Sequence, residues 1–284
     1  MSRGLIFEVR EFCLHDGPGI RTTVFFKGCP LRCPWCHNPE GLSFAPQLLI
    51  APQSCIHCDA CKRVCPRQPG EPCRACGACS KVCPQGCRRL CGVWREPAEL
   101  AAELLRDRDF FLNNGGGISF SGGEPLAQAD FLLELCPLLK PVHLAIETSG
   151  YAPLATYQRV VEHMDLVFQD LKHADPAEHR RLTGVDNAPI LRNLAWLKES
   201  GHAFIARIPL IPGVTDSEDN QRRCADLLSG PSGMLRVELL PYHLGAGSKY
   251  AMAGLKYQPG FDEHAAVLPR PDLFQDRGLQ CVVM

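Results

Sequence analysis

Cysteine is concentrated in the first third of this 284-residue chain, and that concentration constrains the fold more than any other feature of the sequence. The chain has 17 cysteines, an odd number, and fourteen of them lie between Cys13 and Cys91. Structural disulfides are rare in a reducing cytosol. Cys136, Cys224 and Cys281 stand apart in apolar segments and are expected to be buried as small hydrophobic residues. The clustering of the other cysteines indicates metal or iron–sulfur ligation.

Two copies of one cysteine motif follow each other between residues 52 and 91. The segments "CIHCDACKRVCPR" and "CRACGACSKVCPQ" are offset by 18 residues. Each reads C-x2-C-x2-C-x3-C-P, the spacing of bacterial two-cluster ferredoxins, in which the fourth cysteine of each copy ligates the other cluster. By that rule one 4Fe–4S cluster is predicted on Cys55, Cys58, Cys61 and Cys83, and a second on Cys73, Cys76, Cys79 and Cys65.

Zinc is an alternative to the predicted clusters, and other cysteines are alternatives to the predicted ligands. C-x2-C pairs also bind zinc, although two copies that both end in Cys-Pro favour clusters. Only seven residues, "PRQPGEP", join Cys65 to Cys73, which leaves little room for a hairpin. Cys87 and Cys91 continue the series beyond Cys83, so either could replace a predicted ligand.

Outside this segment, apolar strands alternate with amphipathic helices. The predicted strands end in polar motifs and lie in "TTVFFKG", "ISFSGGEP", "HLAIETSG", "DLVFQDLKH", "AFIARIPL" and "RVELLPYH". Pro97 is expected near a helix start and Gly201 at a helix stop. Such alternation predicts a parallel sheet, and the six units are too short for a full (β/α)8 barrel.

We therefore expect an α/β fold of two domains. Residues 1–51 and 92–284 are predicted to form a partial (β/α)6 TIM-like barrel, with an open doubly wound sheet as the alternative. Residues 52–91 are predicted to form an inserted ferredoxin-like iron–sulfur domain.

Bulk properties limit the classes of partner. The net charge is −1 and the pI is about 6.8, so neither a nucleic acid nor an anionic membrane is expected as a partner. No run of about 18 apolar residues predicts a membrane span. The start "MSRGLIFEVREF" lacks the charged head and long apolar run of a secretory signal, and a cytoplasmic protein is expected.

A separate motif contains three cysteines rather than four. Cys29, Cys33 and Cys36 read C-x3-C-x2-C directly after the first predicted strand. Barrel active sites lie at the carboxyl ends of the strands, so these thiols are expected beside the other polar motifs. A cubane held by three thiolates leaves one iron free for an incoming ligand, as a catalytic zinc keeps one position open. Structural cysteines, or a zinc site completed by His37, are the alternatives.

The three-cysteine spacing resembles the signature of the radical S-adenosylmethionine (SAM) superfamily. The longer stretch "HDGPGIRTTVFFKGCPLRCPWCHNPE" looks like the signature of glycyl-radical enzyme activating enzymes. The resemblance continues through "SGGEP", "ETSG", "DLKH" and "LPYH", and is closest to activases with a ferredoxin-like insert.

This resemblance implies one SAM-binding 4Fe–4S cluster, two auxiliary 4Fe–4S clusters, and reductive cleavage of SAM to a 5′-deoxyadenosyl radical. The radical would abstract a hydrogen atom from a backbone glycine of a partner glycyl-radical enzyme. Flavodoxin or ferredoxin is implied as the electron donor.

The resemblance also implies roles for individual residues. It places Trp35 near the adenine of SAM and Lys172 at the carboxylate. The amino group of SAM is implied to meet Gly122, Gly123 and Glu124. Further contacts with SAM are implied for Thr148, Asp170, Arg207 and His243. Asp16 is implied to lie near the incoming glycine loop. Glu147 stands where pyruvate formate-lyase activase has an aspartate that binds a monovalent cation, and the longer carboxylate could still bind such a cation near Glu147.

Two other functions are alternatives to an activase. One is a radical SAM enzyme that acts on a small molecule. The other is an electron carrier with a ferredoxin module, which would leave the three-cysteine motif and "SGGEP" without a use.

Overall fold

The computed structural model describes residues 2–68, 70–245 and 247–284. The strands are β1 (Gly4–Cys13), β2 (Arg21–Phe26), β3 (Gln47–Ile50), β4 (Arg88–Cys91), β5 (Val93–Arg95), β6 (Gly117–Gly122), β7 (His143–Thr148), β8 (Leu166–Asp170), β9 (Phe204–Leu210), β10 (Met234–Pro241) and β11 (Cys281–Val283).

The α-helices lie mainly between the strands of the second half. They are α1 (Ala60–Arg63), α2 (Ala78–Lys81), α3 (Pro97–Leu104), α4 (Arg108–Asn114), α5 (Ala129–Leu139), α6 (Leu154–Val161), α7 (Pro176–Thr183), α8 (Ala188–Ser200), α9 (Glu218–Leu228), α10 (Gly247–Met252) and α11 (Pro271–Gln275). Among the described residues, no helix combines the length and the apolar character needed to cross a membrane.

A nine-stranded sheet in the described part of the chain has the order β11-β10-β9-β8-β7-β6-β2-β1-β5. The six predicted strands, β2 and β6 to β10, are all present and pair in parallel with their neighbours in chain order. A doubly wound sheet reverses its strand order at a switch point. This sheet has no such reversal, so the doubly wound alternative is wrong and the predicted parallel α/β sheet is confirmed.

Burial explains why these strands were visible in the sequence. All six residues of β2 are buried, and parallel strands covered on both faces are read as continuous apolar runs. Phe26 packs edge-to-face against Phe120 of β6 and Phe131 of α5. Pro97 begins α3 and Gly201, at φ +76°, ends α8, so both predicted helix boundaries are confirmed.

The strands at the sheet edges were not predicted. β1 pairs antiparallel with β2 on one side and with β5 on the other, and β11 adds to β10 in parallel. Beyond its first residues β1 is only partly buried, so its sequence carries a weak apolar pattern.

A small structural unit lies between β3 and β4, which pair antiparallel from Gln47–Cys91 to Ile50–Arg88. Its helices α1 and α2 are offset by 18 residues, the same offset as the cysteine motifs. Positive φ angles recur at that offset, at His57 and Ala75 and again at Asp59 and Gly77. Such angles are uncommon outside glycine, so the sequence repeat is also a repeat of backbone conformation.

Candidate functional site

The loop after β2 brings three cysteines to one cavity. Cys29, Cys33 and Cys36 line a space of about 320 Å³ at the carboxyl ends of the parallel strands. The Cys36 amide donates to the Cys33 carbonyl at 3.1 Å, and the Gly28 amide donates to the Gly41 carbonyl at 2.7 Å. These backbone bonds hold the three thiols along one wall.

The thiols are arranged for a group larger than one ion. Within residues 2–68, 70–245 and 247–284, no three His, Cys, Asp or Glu side chains lie close enough to hold a single metal ion. Zinc needs its ligand atoms about 2.0–2.3 Å from one centre, so the alternative of a zinc site completed by His37 has no support. A cubane distributes its ligands over separate corners, which fits three spaced thiols better.

Burial controls the protonation of these thiols. It raises the pKa of Cys29 and Cys33 to about 12 and also raises the pKa of Cys36. The Lys172 ammonium opposes the shift at Cys33. Metal ligation needs the thiolate, so a bound cluster would release these protons.

Two glycines at the end of β6 pack against the cysteine loop. Gly122 has a φ of +115°, which favours glycine. A Cβ on Gly123 would lie 2.4 Å from the Gly28 carbonyl oxygen and 2.6 Å from that of Gly41. The Glu124 amide donates to the Gly28 carbonyl at 2.8 Å. The pair of glycines therefore allows close contact between β6 and the loop that carries the thiols.

Glu124 connects the ends of β6 and β7. Its carboxylate, 1% exposed, accepts hydrogen bonds from Thr148 Oγ1 (2.6 Å), Ser149 N (2.9 Å), Ser149 Oγ (2.5 Å) and Leu126 N (3.2 Å). Burial raises its pKa, although these hydrogen bonds oppose the shift. A carboxylate has about four acceptor sites, so any further donor would have to displace one of these.

Arg207 of β9 pairs with the partly buried carboxylate of Glu147 and the buried carboxylate of Glu238. Its Nη1 donates to Glu147 Oε1 at 2.6 Å and its Nε donates to Glu238 Oε2 at 2.9 Å. The guanidinium also lies 3.9 Å from the centre of the Phe168 ring. Ser121 Oγ donates to the other oxygen of Glu147 at 2.6 Å. Burial raises the pKa of Glu147, and Arg207 works against that rise.

Asp170 and Lys172 form an ion pair at the end of β8. Lys172 Nζ lies 2.7 Å from Asp170 Oδ2, and both residues line the cavity. Burial by itself lowers the pKa of Lys172, but Asp170 and Cys33 outweigh it and the pKa is raised. The ammonium is therefore held charged beside the cysteine wall.

Trp35 and two histidines lie at the side and rim of the cavity. Trp35, 6% exposed, and His37 line it. His243 follows β10, is exposed, and places its ring 4.2 Å from that of His37. Burial, together with His243 and Lys249, lowers the pKa of His37 to about 4. His243 thus reaches the rim of the cavity through His37.

Asp16 lies in the loop between β1 and β2. Its carboxylate accepts from Thr23 Oγ1 at 2.5 Å, and its carbonyl accepts from Ser119 Oγ at 2.5 Å. The neighbouring His15 carbonyl accepts from Arg207 Nη2 at 3.0 Å. This loop is therefore attached to β2, β6 and β9 beside the cavity.

Sequence reasoning missed several residues of the site. Ser121, Ser149 and Leu240 stand inside the motifs "SGGEP", "ETSG" and "LPYH". Glu238 lies outside these motifs. Glu238 meets Arg207 only because the two residues are register partners between β9 and β10.

Two further cavities lie in the unit between β3 and β4. The first, of about 240 Å³, is lined by five cysteines: Cys55, Cys58, Cys61, Cys83 and Cys87. The second, of about 460 Å³, is lined by Cys61, Cys65, Cys73, Cys76 and Cys79. Each predicted set of four ligands is thus gathered at one cavity, with the fourth cysteine of each copy at the cavity of the other copy.

Four other cysteines are buried away from these cavities. Cys91 is 1% exposed and its thiol lies 3.6 Å from the Glu40 carbonyl oxygen, to which it donates. Cys136, Cys224 and Cys281 are buried in the main core, as predicted.

Comparison with known proteins identifies the family. The radical SAM superfamily model matches residues 23–221. Choline trimethylamine-lyase activating enzyme of Oleidesulfovibrio alaskensis is 40% identical over 274 residues, which cover 90% of this chain and 88% of that protein. Benzylsuccinate synthase activating enzyme of Thauera aromatica is 38% identical over 311 residues, covering 100% and 93%.

A solved structure shares the fold at much lower identity. QueE from Escherichia coli matches with a TM-score of 0.50 and 12% identity, covering 99% of this chain and 94% of that one. The family model covers most of the chain, and the two activating enzymes match nearly all of it. The chain therefore belongs to the glycyl-radical enzyme activating enzymes of the radical SAM superfamily.

Proposed function

We propose that this activating enzyme cleaves SAM at a 4Fe–4S cluster ligated by Cys29, Cys33 and Cys36, and then removes a hydrogen atom from a backbone glycine of a partner glycyl-radical enzyme. When bound, the cluster would supply the electron that breaks the sulfonium and yields the 5′-deoxyadenosyl radical. The observation that carries the proposal is one cavity at which three thiols meet the carboxyl ends of β6, β7 and β8.

The residues opposite the thiols would orient SAM. The Lys172 ammonium, held by Asp170, suits a carboxylate. Trp35 offers an apolar wall to the adenine. Thr148 and Gly122 line the same cavity at the ends of β7 and β6. A cavity of about 320 Å³ falls in the range of small-ligand sites.

The remaining implied roles belong to the edge of the site. Gly122, Gly123 and Glu124, at the end of β6 beside the cysteine loop, would bind the amino group of SAM. Arg207 of β9 and His243, which follows β10, would be further SAM contacts. The loop that carries Asp16 would face the incoming glycine segment of the partner, because it is attached beside the cavity.

In this proposal the guanidinium of Arg207, and not a bound ion, balances the negative charge of Glu147. A monovalent ion near Glu147 would have to share the carboxylate with Arg207 and Ser121, which lie 2.6 Å from its two oxygens. The guanidinium already supplies the positive charge at that position, so no monovalent cation is required.

We also propose that residues 52–91 form a ferredoxin-like domain with two auxiliary 4Fe–4S clusters, inserted into a partial (β/α)6 barrel formed by residues 1–51 and 92–284. The repeated backbone conformation and the two cysteine-lined cavities support this proposal. Cys58, Cys73 and Cys76 are exposed, which would let the clusters accept electrons from flavodoxin or ferredoxin. Such thiolate clusters fit a reducing cytoplasm.

The names of the relatives support a protein substrate over a small molecule. The two relatives are named for a choline trimethylamine-lyase and a benzylsuccinate synthase. These partners catalyse different reactions, so we propose the class of partner and not its chemistry.

Electron spin resonance tests the proposed function. The anaerobically reconstituted protein, incubated with SAM, a reductant and a candidate glycyl-radical enzyme, should produce a glycine-centred radical together with 5′-deoxyadenosine. Cys33→Ala should abolish both products, and Cys281→Ala, which removes a buried thiol far from the cavity, should keep both. SAM cleavage without a glycine radical on any candidate partner would contradict the proposal.

A further inference from the structure

The first cavity of the insert holds one thiol more than a cubane needs. Five cysteines line it, whereas a 4Fe–4S cluster takes four. The fifth, Cys87, has its Sγ 3.2 Å from the Sγ of Cys83. Two sulfurs in contact at one side of a cavity face the same corner of anything bound there. They therefore compete for one iron.

Cys87 is held in place by regular structure. It directly precedes β4, its carbonyl accepts from the Ala51 amide at 2.8 Å, and it is 6% exposed. Cys83 lies across a tight turn in which the Gly86 amide donates to the Cys83 carbonyl at 3.2 Å. The turn brings Cys83 to a thiol that the β3–β4 ladder has already positioned.

We propose that Cys87 is an exchangeable ligand of the first auxiliary cluster. With Cys83 bound to iron, the Cys87 thiol donates an S–H hydrogen bond to the Cys83 thiolate. When Cys87 takes over the iron, its proton passes to Cys83, so the exchange is redox-neutral and leaves the number of thiolate ligands at four. This inference rests on the proposed auxiliary clusters.

The second cavity provides the contrast. It is also lined by five cysteines, but one of them, Cys61, belongs to the ligand set of the first cavity. Cys65 is its fourth ligand and, among the described residues that line this space, no thiol remains to replace it. Cys65 is therefore a matched control for Cys83, because the two occupy equivalent positions in the repeat.

Iron and sulfide content of the full-length protein after anaerobic reconstitution tests the inference. Wild type should bind about twelve irons. Cys65→Ala should bind fewer, because its cluster keeps only three thiolates and the iron left without one is lost to solvent. Cys83→Ala should keep about twelve, and Cys83→Ala with Cys87→Ala should fall to the content of Cys65→Ala. An iron content of Cys83→Ala equal to that of Cys65→Ala, or a double variant that keeps the wild-type content, would overturn the inference.

Two further measurements distinguish the absence of ligand exchange from the absence of auxiliary clusters and from misfolding of a variant. A wild-type content near four irons would refute the auxiliary clusters themselves rather than the exchange. A SAM-dependent change in the spin-resonance signal of the reduced protein shows that the barrel of each variant is folded.

Cys87→Ala should keep its full iron content but shift the midpoint potential of one cluster to more negative values, since hydrogen bonds to the sulfurs help to set that potential. An unchanged potential would contradict the proposed S–H donor.

Discussion

At the scale of single residues, charge at the cavity is balanced within the protein. Arg207 lies between Glu147 and Glu238, and Lys172 is paired with Asp170. An unpaired buried charge would be costly, and removing one partner of such a pair is strongly destabilising. The cavity walls are therefore set in charge and position before any ligand arrives.

SAM binding should not depend on potassium or sodium. Arg207 already lies at hydrogen-bonding distance from Glu147, so replacing the alkali chloride with choline chloride at equal ionic strength should leave the Kd for SAM unchanged. Isothermal titration of the reconstituted protein measures this. A large loss of affinity in choline chloride, restored by potassium, would show that an ion and not the guanidinium serves the carboxylate.

His143 should contribute to loss of stability in acid. Burial and the nearby Arg21 lower its pKa, with smaller opposing effects of Asp165 and of a backbone hydrogen bond. The unfolded chain, with a pKa of about 6.5, therefore binds the proton first as the pH falls. The neutral His143 ring therefore contributes fully to the free energy of unfolding above the pKa of the unfolded chain. That contribution is lost as the pH falls from there toward the lower pKa of the folded protein.

His143→Asn removes this titration and keeps an acceptor beside Arg21. Between about pH 7.5 and pH 6 its free energy of unfolding in urea should fall less than that of wild type. The matched variant His264→Asn, at an exposed residue, should follow wild type. Equal falls in both variants would rule out His143 as a source of the acid sensitivity.

At the scale of elements, close packing of β6 against the cysteine loop determines the site. The carbonyl oxygens that a Cβ at Gly123 would meet belong to the backbone, so they cannot move aside as the end of a side chain could. Packing density leaves no spare room for one more methyl group there.

Gly123→Ala should lower the free energy of unfolding by about 3 kcal/mol, at the upper end of the overpacking range. It should also weaken SAM binding, because the end of β6 moves away from the thiols. Gly213, at φ +66° with no atom within 4 Å of an added Cβ, is the control, and Gly213→Ala should cost only about 1 kcal/mol of backbone strain. Urea unfolding under anaerobic conditions compares the two. Similar losses of unfolding free energy in the two variants would show that the close contact with Gly28 and Gly41 does not exclude a side chain at Gly123.

At the scale of the whole molecule, the main sheet and the insert are stabilised by different means. The apolar core draws its residues from the sheet strands and the helices around them, and no described residue of 52–91 belongs to it. The insert has little apolar burial of its own, and a small unit of this kind usually needs metal or disulfides for stability. The main sheet should therefore keep its structure when the cysteines of residues 52–91 bind no cluster.

Replacing the eight predicted auxiliary ligands with serine should separate electron supply from SAM chemistry. The variant should keep about four irons and cleave SAM when dithionite is the reductant, because a small reductant can reach the remaining cluster directly. It should lose cleavage driven by flavodoxin. Equal cleavage with both reductants would exclude an electron relay through the insert, and the Cys91→Ser variant, altered at a buried thiol outside the cavities, is the control.

Much of the fold and part of the site could be predicted from local sequence. The six parallel strands were visible because strands buried on both faces are apolar throughout. The cysteine spacings were visible because a cluster takes several ligands from one short segment. The polar motifs were assigned to one site because the carboxyl ends of parallel strands lie at the same edge of the sheet.

Other features depend on contacts between residues far apart in the chain. The register of β9 and β10 places Glu238 beside Arg207. The β3–β4 ladder places Cys87 at a cavity, while the thiol of Cys91 donates to the Glu40 carbonyl. The chain by itself determined which chemical groups are present and their local order. Only the tertiary structure decided which of them meet, because register and side-chain direction are set by packing across the sheet.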